Sequence, residues 1–141
     1  FQLCHAVNFL HANKITHTDL KPENLLFCDS DYDEVKVKGK SYRKVQQIQV
    51  KNASIKLIDF GTATFDDEDH AKLISTRHYR APEVIMELGW DRNCDLWSIG
   101  CILVELHTGN MIFSKDDDRQ HLAMIETVLG KFPISMAKKT K

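Results

Sequence analysis

Eight consecutive residues carry the densest chemistry in the chain. HTDLKPEN at 17–24 places the carboxylates of Asp19 and Glu23, the ammonium of Lys21 and the amide of Asn24 around a proline. Phosphoryl transfer needs such a set: an acceptor for the proton of an attacking hydroxyl, a cation beside the moving phosphoryl group, and an oxygen ligand for Mg2+. Taken alone, the stretch would serve equally as a polar loop closing a helix. Further along, Asp59 opens DFG at 59–61, and APE stands at 81–83.

Apolar spacing predicts the elements that must position these groups. Residues 1–12 carry Leu3, Cys4, Val7 and Leu10 at three- and four-residue intervals, with Phe1 and Phe9 adding bulk. That spacing predicts a helix with a wide buried face leading toward the 17–24 loop. LLF at 25–27 predicts a short strand, and SIKLI at 54–58 a clearer one that ends on Asp59. Between them, 29–53 is charged, with apolar and polar residues alternating in 34–38 and 48–50 around Gly39, Lys40 and Ser41. This predicts an exposed hairpin inserted into the domain, although a disordered insert would have a similar composition. Segment 59–80 lacks periodicity and reads as loop. Pro82 suits the first turn of a short helix reaching about residue 87. Residues 95–107 are apolar on nearly every side, which predicts a central helix buried on most faces and stopped by Gly109. A last helix is expected over 118–129, favoured by aspartates at its start and ended by Gly130 and Pro133.

A length of 141 residues fits one domain. A formal net charge of -1 gives no bulk electrostatic case for nucleic acid or membrane binding. The acidic runs at 66–69 and 116–118, and the basic end with Lys138, Lys139 and Lys141, read as solvated loops. Four cysteines show no C-x-x-C pairing and seven histidines no H-E-x-x-H, which argues against zinc. The cysteines instead fit burial in a reducing compartment. With no signal peptide and no apolar run of membrane-spanning length, a soluble intracellular protein is expected. The first residues read as mid-helix without an initiator Met, so a piece of a longer chain is expected.

Taken in order, HxDLKPEN, DFG and APE, with a strand before DFG and a large apolar helix after APE, resemble the large lobe of a eukaryotic protein kinase over essentially the whole chain. The resemblance implies an α+β fold: a predominantly helical large (C-terminal) lobe with short strands and an inserted hairpin, the small lobe being absent. The chain is then one partial kinase domain, 1–141, with catalytic loop 17–24, insert 29–53, activation segment 59–83 and central helix 95–107. ATP and Mg2+ are the implied cofactors. Asp19 would orient the substrate hydroxyl, Lys21 would offset charge on the transferring phosphoryl of ATP, and Asn24 and Asp59 would hold the metal. Thr76, five residues before Ala81, would brace Asp19 and Lys21. His17, Phe60, Gly61, Glu83 and Asp95 are implied supports. Phe60 would pack beneath the site, and Gly61 would permit the backbone turn. Asp95 would anchor the backbone around His17 to Asp19. Glu83 would pair with an arginine beyond Lys141, and is therefore expected to be unpaired here.

Thr18 stands where many such kinases have an arginine that binds a phosphorylated residue of the activation segment, which suggests activity independent of that switch. HTDLKPEN, the insert before DFG and STRHYRAPE at 75–83 together are similar to the LAMMER (CDC-like) family of dual-specificity kinases. QHLAMIET at 120–127 keeps the middle of the EHLAMMER signature and loses its first and last charges. In the 118–129 helix, Leu122, Met124, Ile125 and Val128 read as ordinary packing. The family resemblance implies protein substrates rich in Arg-Ser dipeptides, such as splicing factors, phosphorylated on Ser, Thr and Tyr hydroxyls. It also implies a nuclear location and a full-length monomer, with no direct nucleic-acid or membrane partner. Glu23 is suited to receive a substrate arginine, and the acidic 66–69 run to attract a basic peptide. A non-catalytic scaffold protein and a neighbouring kinase branch without Arg-Ser preference are the competing readings. The 141 residues by themselves are expected to lack phosphotransfer and to aggregate through exposed apolar surface.

Overall fold

In the computed structural model, residues 1–38 and 44–140 are described. Helix α1 (Gln2–Ala12) is followed by strand β1 (Ile15–Thr16), a 3-10 turn (Pro22–Asn24) and strand β2 (Leu25–Phe27). The chain continues through β3 (Tyr32–Lys38), β4 (Lys44–Val50), β5 (Ile55–Leu57) and β6 (Thr64–Phe65). A 3-10 turn (Arg77–Tyr79) then leads to helices α2 (Pro82–Ile85), α3 (Asn93–Thr108), α4 (Asp118–Leu129) and α5 (Ile134–Ala137).

The strands form three antiparallel pairs. β3 pairs with β4, Tyr32 opposite Val50 and Val37 opposite Val45, so the insert is a hairpin. Its predicted turn at 39–41 lies outside the described residues. The other two pairs frame the 17–24 loop. β1 pairs with β6 on one side, Ile15 opposite Phe65, and Asp66 N–H donates to the Lys14 carbonyl at 3.0 Å. On the other, β2 pairs with β5, Leu25 opposite Leu57, and Ile58 N–H donates to the Asn24 carbonyl at 3.0 Å. Segment 59–80 is thus less irregular than its composition suggests, because β1 supplies a pairing partner from far away in sequence.

The core gathers Leu3 and Val7 of α1, Leu20 of the loop, Tyr79, Ile99 and Ile102 of α3, Phe113 and Ile125 of α4. Burying Leu20 fully contributes about 1.5–3 kcal/mol and pins the loop to the helices beneath it. Two helix expectations need correction. On α1 only Leu3, Val7 and Leu10 are buried, while Phe9 is 64% exposed, so the buried stripe is narrow. On α3 the buried side is Cys94, Asp95, Ser98, Ile99, Cys101 and Ile102. Its opposite side, with Leu96, Leu103 and Leu106, faces outward among the described residues. An all-round apolar pattern therefore marks a helix of which one side is covered here. Gly109 ends α3 with φ 75, a left-handed cap that glycine adopts without steric cost. Helix α2 stops at Ile85, short of the expected residue 87, since Glu87 itself turns left-handed at φ 54.

The acidic run at 116–118 is not merely solvated. Asp117 caps α4 by accepting the Gln120 N–H at 3.0 Å, Asp118 pairs with Arg77, and Asp116 lies 3.6 Å from His78. The cysteines also divide: Cys94 and Cys101 are buried, whereas Cys4 and Cys28 are exposed. Burial pushes the Cys101 thiol up to about 12, so it remains a protonated packing group. Among the described residues, no helix is long and apolar enough to cross a membrane, and no group of three or more His, Cys, Asp or Glu residues suits a metal ion.

Candidate active site

The loop at 17–24 is shaped from below by one carboxylate. Asp95, in the first turn of α3, is 1% exposed and accepts the backbone N–H groups of His17 and Thr18, each at 2.9 Å. His11 Nε2 approaches the same carboxylate at 2.8 Å. A buried carboxylate without such donors would be costly, and here each donor also fixes the backbone that follows it. Thr18 turns left-handed, with φ 71. That turn buries Leu20 and leaves Asp19 and Lys21 half-buried, at the surface of the loop.

His17 supports the next layer. Its Nδ1 accepts the Asp19 N–H at 3.3 Å, which leaves Nε2 to donate to the Ile58 carbonyl at 3.0 Å. One imidazole therefore ties the loop to the residue before Asp59. Phe60 lies against it, ring centroids 5.1 Å apart, but is 49% exposed rather than enclosed beneath the site. The turn at DFG also works differently from expectation. The left-handed residue is Asp59, with φ 65, and Gly61 is not in that region. A Cβ on Gly61 would meet Asp59 Oδ1 at 3.4 Å, an ordinary contact, so neither strain nor space explains this glycine.

Asp19, Lys21 and Thr76 meet in one cluster. Lys21 Nζ donates to Asp19 Oδ2 at 2.8 Å and to Thr76 Oγ1 at 3.1 Å. Thr76 donates to Asp19 Oδ1 twice, through its hydroxyl and its backbone N–H, both at 2.8 Å. Burial raises the Asp19 pKa, but the hydrogen bonds from Lys21 and Thr76 outweigh it and hold the carboxyl below its ordinary value. The Lys21 pKa is raised, chiefly by its hydrogen bond to Asp19 against partial desolvation, with the charges of Asp19, Glu23 and Asp59 adding to it. Two protons of its ammonium are committed to Asp19 and Thr76, which leaves the third for an incoming acceptor.

The β2–β5 pairing continues to Asn24, whose carbonyl accepts the N–H of Ile58, the residue before Asp59, at 3.0 Å. Asn24 is 4% exposed, and its Nδ2 donates to the Asp19 carbonyl at 2.9 Å, which fixes the amide and directs its oxygen away from that bond. Asp59 is exposed and, among the described residues, accepts only a long 3.4 Å contact from Gly61 N–H. An amide oxygen and a carboxylate are hard oxygen donors, and a pair of them fits Mg2+, which keeps water and phosphate as its remaining ligands.

Around this centre lie residues that sequence reasoning passed over. Ser75 Oγ donates to the Thr18 carbonyl at 2.6 Å, and Thr18 Oγ1 sits 2.9 Å from both the carbonyl oxygen and the hydroxyl of Thr62. Arg80 is buried and donates through Nε to the Ile74 carbonyl and through Nη2 to the Ser75 carbonyl, each at 2.8 Å. Tyr79 donates its hydroxyl to Glu105 at 2.6 Å. Burial and that carboxylate raise the tyrosine pKa, with a further contribution from Glu23. Glu105 lies in an apolar helix, and nothing in the local sequence marked it. Glu23 is exposed with no partner among the described residues. Burial raises the pKa of the half-buried Glu83, whose carboxylate finds only its own backbone N–H among the described residues.

Comparison with known proteins agrees with this geometry. The protein kinase domain family model matches residues 1–140. Across the whole chain there is 55% identity to the dual specificity protein kinase CLK4 of Mus musculus and 59% to the probable dual specificity protein kinase madd-3 of Caenorhabditis elegans. The serine/threonine-protein kinase Doa of Drosophila melanogaster is 58% identical over 98% of the chain. The chain spans 29%, 15% and 16% of the lengths of CLK4, madd-3 and Doa respectively. A solved kinase domain superimposes with a TM-score of 0.89 at 42% identity, covering 99% of this chain and 43% of that one. The fold, the order of its motifs and these relatives together show that the chain belongs to the protein kinase family.

Proposed function

We propose that the protein carrying this chain transfers the γ-phosphate of ATP to protein serine, threonine and tyrosine hydroxyls. The observation that supports this most strongly is the Asp19–Lys21–Thr76 cluster, with Asn24 tied to the Asp19 carbonyl and, through its own carbonyl, to Ile58 just before Asp59. Asp19 acts as the acceptor for the substrate hydroxyl. Its depressed pKa makes it a weak base that stays ionised at neutral pH, which suits orientation of the hydroxyl and late acceptance of its proton. Lys21 holds its ammonium between Asp19 and the phosphoryl position, offsetting charge as transfer proceeds. Thr76 keeps both groups in one geometry. Asn24 and Asp59 would hold Mg2+, which when bound would supply charge neutralisation at the phosphate oxygens. His17, Phe60, Gly61, Glu83 and Asp95 act through the backbone and packing, not on the substrate. In this reading 17–24 is the catalytic loop and 59–83 the activation segment.

Substrates with arginine near the acceptor hydroxyl follow from charge. Glu23 is exposed beside the site, Glu105 is anchored by Tyr79, and the 66–69 run is exposed on the activation segment. Arginine forms bidentate pairs with such carboxylates. Arg-Ser-rich proteins such as splicing factors, and hence a nuclear location, fit this surface and the resemblance to the LAMMER family. The full-length protein acts as a monomer in this account, as the family resemblance implies.

The test is ATP-dependent phosphate incorporation into an Arg-Ser peptide by the full-length protein, in the presence and absence of Mg2+, with Asp59→Asn and Asn24→Ala beside the wild type. Transfer that requires Mg2+ and falls in both variants is expected. Transfer unaffected by chelation, or by either substitution, would refute the assignment.

A further inference from the structure

The structure points to Thr62 as a positioning residue. We propose that its hydroxyl, joined to that of Thr18, clasps the 17–24 loop to the chain just beyond Asp59, and so sets the base against the metal-holding carboxylate. This role rests on the kinase reading above and deepens it.

Thr18 is a β-branched residue at φ 71 and is fully buried. Such a conformation is strained for a β-branched residue and persists only where the surroundings over-determine it. Every polar group of Thr18 is held. Its N–H donates to Asp95 Oδ1 at 2.9 Å, its carbonyl accepts Ser75 Oγ at 2.6 Å, and its hydroxyl lies 2.9 Å from both Thr62 O and Thr62 Oγ1. A hydroxyl has one proton. Thr18 can donate to one of these oxygens while the Thr62 hydroxyl supplies the proton for the other contact. The pair of hydroxyls thus satisfies itself with the Thr62 carbonyl; removing the Thr62 hydroxyl leaves Thr18 bonded to that carbonyl alone, and removing the Thr18 hydroxyl breaks both contacts.

The tie adds to two others: His17 and the Asn24 carbonyl hold Ile58 just before Asp59, and β1 pairs with β6 just beyond Thr62. Between the loop and the segment that returns over it lies an open cleft of about 450 Å³, walled by Asp19, Thr62, Thr64, Leu73, Thr76 and Arg80. Across that cleft the two stretches are joined by hydrogen bonds: Thr62 to Thr18 at one end, Ser75 and Thr76 to Thr18 and Asp19 at the other. Thr62 lies three residues after Asp59, whose own φ of 65 sets the direction of the turn. Holding Thr62 to Thr18 therefore limits how far Asp59 can swing from Asp19. Thr62 itself is exposed, so its substitution leaves the core intact.

The experiment uses the full-length protein with Thr62→Val, Thr62→Ser, Thr18→Val and the Thr18→Val/Thr62→Val double variant. Two readouts are taken: kcat with KM for ATP, and hydrogen exchange of the 17–24 backbone by mass spectrometry. Thr62→Val keeps shape and removes the hydroxyl. It should lower kcat roughly tenfold with KM for ATP little changed, part of the ~100-fold that a 1 Å misplacement can cost. Exchange in 17–24 should accelerate while α3 stays protected. Thr62→Ser, which keeps the hydroxyl, should restore both readouts. Thr18→Val should be slower than Thr62→Val, because it loses both contacts, and the double variant should be no slower than Thr18→Val alone. The clasp is overturned by unchanged exchange or unchanged kcat in Thr62→Val, by Thr62→Ser behaving like Thr62→Val, or by a double variant slower than Thr18→Val. A wild type without phosphotransfer overturns the kinase reading and this role with it. An active wild type with indifferent Thr62 variants overturns the clasp alone.

Discussion

Thr76→Ala isolates one contact in the cluster that carries the proposed chemistry. The hydroxyl of Thr76 donates to Asp19 Oδ1 at 2.8 Å and accepts from Lys21 Nζ at 3.1 Å, while its backbone N–H holds the same Oδ1 at 2.8 Å. Substitution removes the two side-chain contacts and leaves the backbone one. A hydrogen bond to a charged group contributes about 1.5–3 kcal/mol. If that is expressed in the transition state, kcat falls ~10- to 150-fold, nearer the lower figure because the N–H still holds Oδ1. The same change lets the Asp19 pKa rise toward its ordinary 3.8. For a carboxyl with depressed pKa the folded state gains stability above the unfolded value and loses it as pH falls through the folded value. The difference in stability between wild type and Thr76→Ala should therefore be constant from neutral pH down to about pH 5 and shrink only below about pH 4. Initial rates against ATP and peptide, with urea unfolding at several pH values, measure both effects on the full-length protein. Thr76→Ser, which keeps the hydroxyl, should recover the rate. A kcat within twofold of wild type for Thr76→Ala, or a serine variant as slow as alanine, would refute the bracing role.

Other substitutions test the supports and the substrate reading. Asp95→Ala leaves the His17 and Thr18 N–H groups buried and unpaired, at about 1–3 kcal/mol each, so urea unfolding should show a loss of about 2–6 kcal/mol. A loss under about 1 kcal/mol would mean that water or other groups replace the carboxylate. Leu20→Ala removes the side chain that pins the loop and should cost about 2–5 kcal/mol, read from the same unfolding curves. Glu23→Gln should raise KM for an Arg-Ser peptide and leave that for an acidic peptide unchanged, with a smaller difference at high salt. Equal turnover of the two peptides by the wild type would remove the Arg-Ser preference.

Much of this was legible in sequence because it is local. HTDLKPEN, DFG and APE concentrate unusual residue types at short spacing, and strands such as β5 announce themselves by alternation. What escaped is what depends on contacts between distant residues. Thr62 lies in a segment without periodicity and Ser75 counts only as the first residue of STRHYRAPE; only the path of 59–80 over the loop brings them to Thr18. The strand β6 is two residues long and exists because β1 pairs with it. Gly61 suggests itself as the source of the DFG turn, since glycine is the usual left-handed residue, yet Asp59 takes that conformation. The 116–118 run looked like a solvated loop because composition cannot show that Arg77 and His78 lie opposite. Helix α3 reads as apolar throughout, and the pattern could not say which side the described residues would cover.

The central claim is that Asp19 is the acceptor that makes this site a phosphotransferase. Single-turnover phosphate transfer from ATP to a serine peptide, by the full-length protein and by Asp19→Asn, tests it most directly. The asparagine keeps the size of the side chain and removes the charge that the hydroxyl proton needs. The account predicts a rate lower by ~10²- to 10⁴-fold with ATP binding retained. Transfer by Asp19→Asn at a rate within tenfold of the wild type would contradict it.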